Sequence, residues 1–375
     1  MVVVDGFVAP DFDDVAYEFA RNFSERGELG AAFAAVEDGV LVLDIWGGIA
    51  DRSSGRVWRE DTLQLVFSGT KGFVAICVLI AIERGLLALD APVARYWPEF
   101  GKDHIRVRDV VSHTARLPGV TAPVSIDEFA AADHITRLLE AQAPSDDPRA
   151  GLCYHAFTYG WLCGELIRRV DGRTIGRFFA EEVATPLELE LWMGLPAEQE
   201  DRVSTLELAS GWPTSPPLRP ETHATDPLAR SIWGNPHTLD RDAFPWNTRA
   251  YHAAEIPAVG AIGTARSIAR LYGSLDRLLS PETLELAQRP LADGWDAVHG
   301  TRRRFGVGFA LQDDSRSLGP PAEAFGHGGA GGSVHGCWPE HRVGFSYAMN
   351  LMRDDEPVDP RAQSLLAALH RSLGG

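Results

Sequence analysis

One run of the sequence must be buried on every side, and it constrains the fold more than any other segment. Residues 72–84, GFVAICVLIAIER, are apolar over nearly their whole length, and Gly85 follows at the position of a helix C-cap. A helix that is hydrophobic all round lies inside a protein rather than on its surface. The sequence therefore predicts a central helix that other layers of structure enclose.

Strand patterns lie near both ends of the chain. Residues 31–49 predict two strands joined at Asp38-Gly39, a dipeptide that favours a tight hairpin turn. They follow a helix predicted over about 11–28. Three further strands are predicted within residues 305–352, before a final helix over about 358–373. This order predicts one mixed sheet built from both termini, formed by residues 1–75 and 255–375, with residues 76–254 inserted as a mostly helical domain.

The middle of the chain has helical patterns and then loses them. Residues 155–172 predict a helix that ends at Asp171-Gly172, and residues 174–187 predict another that stops at Pro186. Residues 212–250 are rich in proline and poor in periodicity. We expect them to form long loops over a surface cleft.

Charge and composition narrow the class of partner. The chain has 35 Lys and Arg against 52 Asp and Glu, a net charge of −17, which repels nucleic acid and anionic membranes. The acidic N-terminal segment and the lack of a long apolar run lead us to expect neither a secretory leader nor a membrane span. The four cysteines form no C-x-x-C pair, so we expect buried free thiols in a reducing cytoplasm, without a zinc site.

Ser68 and Lys71 stand three residues apart at the start of the central helix, in the segment VFSGTKGF. The glycine spacing does not fit a phosphate-binding loop. Side chains three apart share one helix face, and the N-terminal N–H groups there stabilise negative charge. A lysine against apolar walls has a lowered pKa and can accept the serine proton. The segment alone also fits a plain helix start, with Ser68 as cap and Lys71 reaching solvent.

Two other segments carry candidate chemistry. Residues 325–333, FGHGGAGGS, match a dinucleotide fingerprint only formally, because a strand rather than a helix is predicted to follow. Their glycines suit either a strand that lies against a ligand or a mobile turn. Tyr154 and Tyr159 precede or open a predicted helix, where a tyrosine can transfer protons or simply pack in the core.

Taken in this order, the segments resemble the serine β-lactamase and penicillin-binding-protein superfamily, and within it the family VIII carboxylesterases. The resemblance covers about residues 25–370 and rests on five segments: FSGTKGF, IRVRDVVSHTARLPG, YHAFTYGWLCGELIRRVDGRTIGRFFAEEVATPL, GAIGTARSIARLYGSL and FGHGGAGGS. It implies an α+β fold of the β-lactamase/transpeptidase type, with an antiparallel sheet flanked by helices and a mostly helical lobe.

The resemblance also implies roles for individual residues. Ser68 would be the acylated nucleophile, Lys71 its base and Tyr154 the second proton-transfer group. His327 would stand where the family has the lysine of its K-T-G box, beside Gly328 and Gly329, and the N–H groups of Ser68 and Ala330 would form the oxyanion hole.

This chain departs from the family pattern at two boxes. Ala156 or Phe157 stands where penicillin-directed members have the Asn of Y-x-N, and His327 is not a permanent cation. Both changes favour an ester over a penicillin. The register around the tyrosine can slip, so Tyr159 stays an alternative to Tyr154.

These features predict a cytoplasmic serine carboxylesterase that uses no cofactor or metal and acts on small short-chain esters, aryl esters included. Apolar walls would come from Trp192, Trp212, Trp233, Trp246 and Trp338. Alternatives are a β-lactamase or D-amino-acid peptidase or amidase, an acyltransferase, a Ser-His-Asp hydrolase using His113 or His155, and a non-catalytic sensor. The sequence leaves monomer and homodimer equally open.

Overall fold

The β-strands come from both ends of the chain. The structure is a computed structural model that describes residues 2–354 and 358–375. Its strands are β1 Val4–Val8, β2 Gly30–Glu37, β3 Val40–Asp51, β4 Arg56–Val57, β5 Gln64–Leu65, β6 Leu191–Met193, β7 Glu207–Leu208, β8 Ala261–Gly263, β9 Ala292–Asp296, β10 Thr301–Phe305, β11 Ala310–Leu311, β12 Phe325–Gly328, β13 Val334–Trp338, β14 Val343–Met349 and β15 Leu351–Met352.

The main sheet is antiparallel and runs in the order β1-β3-β2-β14-β13-β12-β11-β10-β9, with β4 paired to β3. An N-terminal hairpin thus lies beside C-terminal strands, as the sequence predicts. The turn between β2 and β3 is Asp38-Gly39, with φ of 50° and 77°, the left-handed pair that such a hairpin needs. The prediction that residues 1–75 with 255–375 and residues 76–254 are separate domains stays a prediction.

The helices lie on both faces of the sheet and form a lobe beside it. They are α1 Asp13–Glu25, α2 Thr70–Glu83, α3 Val107–Val111, α4 Ile126–Phe129, α5 Ala132–Ala141, α6 Thr158–Asp171, α7 Ile175–Phe179, α8 Pro220–Thr225, α9 Pro227–Trp233, α10 Arg249–Ala253, α11 Ala265–Tyr272, α12 Pro281–Gln288 and α13 Pro360–Ser372. Residues Thr70 to Ala81 of α2 are all buried, which confirms the enclosed central helix.

Successive residues of strand β2 point to opposite faces of the sheet, and each face is covered by helices. In β2, Ala31, Phe33 and Ala35 pack with α1 and α13, whereas Ala32, Ala34 and Val36 pack toward α11. Neighbouring residues of a strand point to opposite faces, so a strand that is apolar on both needs a layer on each side. Helix α2 and most of the lobe form the largest core, on the face that also holds Phe325 and Cys337.

Some local predictions were wrong. Residues 212–250 contain the short helices α8 and α9 rather than long loops alone, because each begins with a proline at its first turn. The helix predicted over 174–187 divides into α7 and a π-helical turn, Ala180–Ala184. All four cysteines are buried free thiols, as predicted. Among the helices in the described residues, none has the length and hydrophobicity needed to cross a bilayer.

Candidate active site

Ser68 lies in a tight turn that leads into the central helix. A 3₁₀ turn, Phe67–Gly69, precedes α2, and Phe67 has a φ of 44°, which is strained for a residue with a side chain. The Thr70 hydroxyl donates to the Phe67 carbonyl at 2.6 Å and accepts the Ala261 N–H at 2.9 Å. These contacts hold the turn against β8 and leave Ser68 half-buried at the helix start.

Lys71 is fully buried, and its contacts are unusual for a lysine. Its Nζ atom lies 3.1 Å from Ser68 Oγ and donates to the carbonyls of Ala156 at 2.7 Å and Ala258 at 3.1 Å. Within the described residues no carboxylate forms an ion pair with it. Burial therefore lowers the pKa of Lys71 well below its usual value. The plain helix start, with Lys71 reaching solvent, is excluded.

A glycine makes one of these carbonyl contacts possible. A Cβ atom on Gly160 of α6 would lie 2.2 Å from the Ala258 nitrogen. The chain at Pro257 and Ala258 can therefore run directly against the helix, which brings the Ala258 carbonyl to Lys71. The sequence analysis missed Ala258, because a backbone carbonyl that acts 187 residues away leaves no pattern to read.

Tyr154 lies beside this pair. Its ring centroid is 4.8 Å from Lys71 Nζ, and its hydroxyl lies 3.4 Å from Nε2 of His327. Burial raises the pKa of Tyr154, and hydrogen bonding to Ser68 and the charge of Arg303 act in the opposite direction. The fold thus brings together Ser68, Lys71, Tyr154 and His327.

The backbone of Tyr154 is anchored by a residue that the sequence analysis missed. The Tyr154 N–H donates to Asp296 Oδ2 at 2.8 Å, and this buried carboxylate also accepts the His299 Nδ1–H at 2.7 Å. Burial by itself would raise the pKa of Asp296. Hydrogen bonds from the His299 ring and from the backbone N–H groups of Tyr154 and His299 outweigh it, and the pKa is lowered. No sequence pattern signals Asp296, since it meets Tyr154 across 142 residues.

Tyr159, the alternative, faces the core. It is fully buried, and its hydroxyl donates to the Lys71 backbone carbonyl at 3.4 Å rather than to a side chain of the cluster. A Cβ atom on Gly308 would lie 2.2 Å from that hydroxyl, so the ring is enclosed at its polar end. Its position is that of a packing residue behind α2.

His327 is a neutral hydrogen-bond acceptor. Its Nδ1 lies 2.7 Å from the Gly328 carbonyl, which can only accept, so the ring proton is on Nδ1. Burial, with the nearby Lys71, lowers the pKa of His327 to about 3. The unprotonated Nε2 therefore accepts a hydrogen bond from the Tyr154 hydroxyl. As a neutral ring, His327 does not provide the positive charge that a lysine would.

The glycine-rich turn after β12 lies directly against the serine segment. A Cβ atom on Gly329 would lie 2.3 Å from the Val66 carbonyl, so the close approach requires glycine. The turn is held from behind by the buried Arg361, which donates to the Gly331 carbonyl at 3.1 Å and pairs with Asp359. Gly328, at the end of the strand, is exposed, and Ala330, in the turn, is partly exposed.

The two histidines of the Ser-His-Asp alternative are engaged elsewhere. His155 donates from Nδ1 to the Cys153 carbonyl at 2.7 Å and accepts the Leu117 N–H at Nε2. His113 accepts the His155 N–H at Nδ1, 3.0 Å away, and its buried Nε2 has no partner among the described residues. Neither contacts Ser68 by a hydrogen bond, so this triad is not formed.

One cluster has the composition of a metal site. Ligand atoms of Cys153, Asp296 and His299 lie within 4.8 Å of one another. His299 already donates from Nδ1 to Asp296 and accepts the Trp233 indole N–H at Nε2, 3.1 Å away. Burial raises the pKa of the Cys153 thiol, which disfavours the thiolate that binds metals. The residues present do not fit a metal ion.

The tryptophans predicted as apolar walls lie in different places. Trp246 packs edge-on against Phe67 at 5.1 Å, and Trp233 lies 5.8 Å from the His299 ring. Trp338 is on the other face of the sheet, 5.2 Å from Phe345, and cannot line the site. Strand alternation explains the error, since Cys337 rather than Trp338 faces α2.

Comparisons with known proteins agree on one family. The family model described as Beta-lactamase matches residues 19–369. The chain is 33% identical over 373 residues to "Esterase/beta-lactamase LipL" of Mycobacterium tuberculosis, covering 93% of this chain and 83% of that protein.

Two crystal structures are similar over the whole chain. A family VIII carboxylesterase has a TM-score of 0.89 and 34% identity, covering 99% of this chain and 100% of that one. A penicillin-binding protein homologue from Caulobacter crescentus has a TM-score of 0.90 and 33% identity, with the same coverage of 99% and 100%.

Proposed function

The chain belongs to the Beta-lactamase family, and we propose that it is a serine carboxylesterase that hydrolyses short-chain esters, aryl esters included, through an acyl-enzyme on Ser68. The observation that carries the proposal is the 3.1 Å contact between Nζ of Lys71 and the Ser68 hydroxyl. Lys71 is buried and has no ion-pair partner among the described residues. The names of the two esterases above support the ester as substrate.

Acylation begins with a proton transfer inside this pair. A neutral amine has two N–H groups, and the carbonyls of Ala156 and Ala258 accept both. Its lone pair is then directed to Ser68 and accepts the hydroxyl proton as Oγ bonds to the ester carbonyl carbon. The carbonyl π electrons move to oxygen, which becomes the oxyanion.

Collapse of the oxyanion breaks the bond to the alcohol oxygen. The leaving alkoxide takes a proton from Tyr154, whose hydroxyl lies in the same hydrogen-bonded cluster, and Lys71 returns the serine proton to Tyr154. Water then attacks the acyl carbonyl carbon and gives a proton to the same groups. The bond between that carbon and Ser68 Oγ breaks, Oγ takes the proton back, and the acid is released. Burial keeps Tyr154 protonated at neutral pH and so able to donate.

The oxyanion would be stabilised by the N–H groups of Ser68 and Ala330. Support comes from the close packing of Gly329 on the Val66 carbonyl, which places the glycine-rich turn beside the serine. Two backbone donors fixed in advance stabilise developing charge without reorganisation. Gly328, Gly329 and His327 would form the adjoining wall of the substrate site.

An ester fits this site better than a penicillin. Ala156 has no side-chain amide to bind a lactam substituent, and its carbonyl is used by Lys71. His327 is neutral, with a pKa of about 3, so it cannot attract a penicillin carboxylate as a lysine would. Because one relative is called an esterase/beta-lactamase, lactam hydrolysis should be measured as a second activity.

The test uses 4-nitrophenyl acetate, a fluorophosphonate probe and nitrocefin. The wild type should hydrolyse the ester and be labelled once, at Ser68, and Ser68→Ala should lose both. Hydrolysis of nitrocefin well above that of esters would instead assign a β-lactamase. Product analysis with added alcohol separates hydrolysis from acyl transfer. Full activity of Ser68→Ala would refute the mechanism.

A further inference from the structure

Three arginines follow one another on strand β10, and the middle one differs from its neighbours. Arg302 donates to Asp293 at 2.9 Å, and Arg304 lies 3.8 Å from the same carboxylate. Because side chains alternate along a strand, Arg303 points to the opposite face. Its guanidinium carbon lies 5.4 Å from the ring centroid of Tyr154.

Arg303 has no polar partner in the described part of the chain. It forms neither an ion pair nor a hydrogen bond there, and its Nε atom is buried without an acceptor. A buried donor without a partner is costly, and an arginine presents five donors in a planar fork. The Asp296 carboxylate does not serve it, because its oxygens accept from the Tyr154, Val298 and His299 N–H groups.

The position of Arg303 indicates which part of the substrate it could contact. In the proposed mechanism, the alcohol portion of the ester leaves beside Tyr154, and the Tyr154 hydroxyl protonates it. Arg303 contacts the same ring, so it lies on the alcohol side of the scissile bond. Lys71 has a strongly lowered pKa and His327 is neutral, so Arg303 supplies the permanent positive charge next to Tyr154.

On this basis, which rests on the proposed esterase function, we propose that Arg303 binds a carboxylate on the alcohol portion of the substrate. The substrate class is esters of hydroxy acids, such as acylated hydroxybenzoates. A guanidinium fork matches the two oxygens of a carboxylate, and a half-buried pair is screened less than one in bulk water. The bound carboxylate would also satisfy the buried Nε donor.

The experiment measures release of acetate from 3-acetoxybenzoate and from its methyl ester, in which the carboxylate of the leaving phenol is masked. We expect the wild type to prefer the anion, and Arg303→Gln to lower the ratio of kcat/KM for the anion over the methyl ester by about tenfold or more, mainly through KM. Arg303→Lys should keep part of the preference. The matched control is Arg302→Gln, on the other face of β10, which should leave the ratio unchanged.

The outcomes separate the possibilities. An unchanged ratio in Arg303→Gln would overturn the carboxylate site, whether both rates stay at the wild-type level or both fall equally. An equal fall on both esters would show that Arg303 acts only on Tyr154. In both cases hydrolysis by the wild type would leave the esterase function standing. If the wild type hydrolyses neither ester and Ser68 takes no fluorophosphonate, both proposals fail.

Discussion

The Nζ atom of Lys71 lies 3.1 Å from Ser68 Oγ, and its other hydrogen bonds go to two backbone carbonyls rather than to a carboxylate. A lysine paired with an acid would be held in its charged form. Burial among dipoles without a counter-charge has the opposite effect and favours the neutral amine. The contact is therefore suited to accepting the serine proton.

Replacement of Lys71 tests this contact. Lys71→Met should lower kcat/KM for 4-nitrophenyl acetate by at least about 100-fold, because the proposed base is lost, while the folded structure is retained. The matched control is Lys102→Met, which removes a buried lysine that donates to the Phe100, Leu139 and Glu140 carbonyls far from Ser68 in sequence. Equal loss of activity in the two variants would argue against a specific role for Lys71.

The two tyrosines differ in what their hydroxyls contact. Tyr154→Phe should lower kcat at least about 100-fold, because it removes the hydroxyl next to His327 that we propose transfers the proton. Tyr159→Phe loses one weak 3.4 Å bond to a backbone carbonyl and should cost about 1 kcal/mol of stability with little change in kcat. Steady-state kinetics on both variants decides between them, and a reversed order would assign the role to Tyr159.

Gly160 permits the approach that brings the Ala258 carbonyl to Lys71. Gly160→Ala would place a Cβ atom 2.2 Å from the Ala258 nitrogen, so we expect a lower Tm, a cost of about 1–3 kcal/mol and a loss of kcat. Gly164→Ala on the same helix is the control, since its nearest contact would be 3.4 Å, from a proline side chain. Matching thermal melts and rates for the two variants would contradict this explanation.

Buried neutral histidines should make the protein sensitive to acid. Burial lowers the pKa of His155 to about 4 and that of His327 and His335 to about 3. Between pH 6.5 and these values the unfolded chain binds protons that the folded chain excludes, so stability is lost as pH falls through this window. At pH 5 each histidine would cost about 2 kcal/mol.

Urea unfolding at pH 7.5 and pH 5.0 measures this loss. His335→Gln should reduce the difference between the two pH values, because the His335 ring is buried and, among the described residues, its side chain hydrogen-bonds only to Ser346 through Nδ1. The comparison is internal to each variant, so a general destabilisation by the substitution cancels. The same difference in wild type and variant would mean that His335 does not contribute to the acid sensitivity.

Much of the fold was predictable because its signals are local. The all-apolar run that forms α2, the Asp38-Gly39 turn and the C-terminal strand segments bounded by turns each encode their structure within a few residues. The motifs around Ser68, Tyr154 and His327 predicted the family. Helices α8 and α9 escaped prediction because short segments rich in proline have too little periodicity to identify.

The sequence by itself determined the central buried helix and the residue types available for acyl transfer, because periodicity and spacing encode these directly, and the resemblance of its motifs indicated the family. Only the tertiary structure decided that Tyr154 rather than Tyr159 lies beside Lys71 and His327 and that Asp296 anchors Tyr154. It also decided that Lys71 and Arg303 have no ion-pair partner within the described residues. Each is a contact between residues distant in sequence or a matter of burial. The charge state of a lysine or histidine depends on such surroundings, and a linear pattern does not contain them.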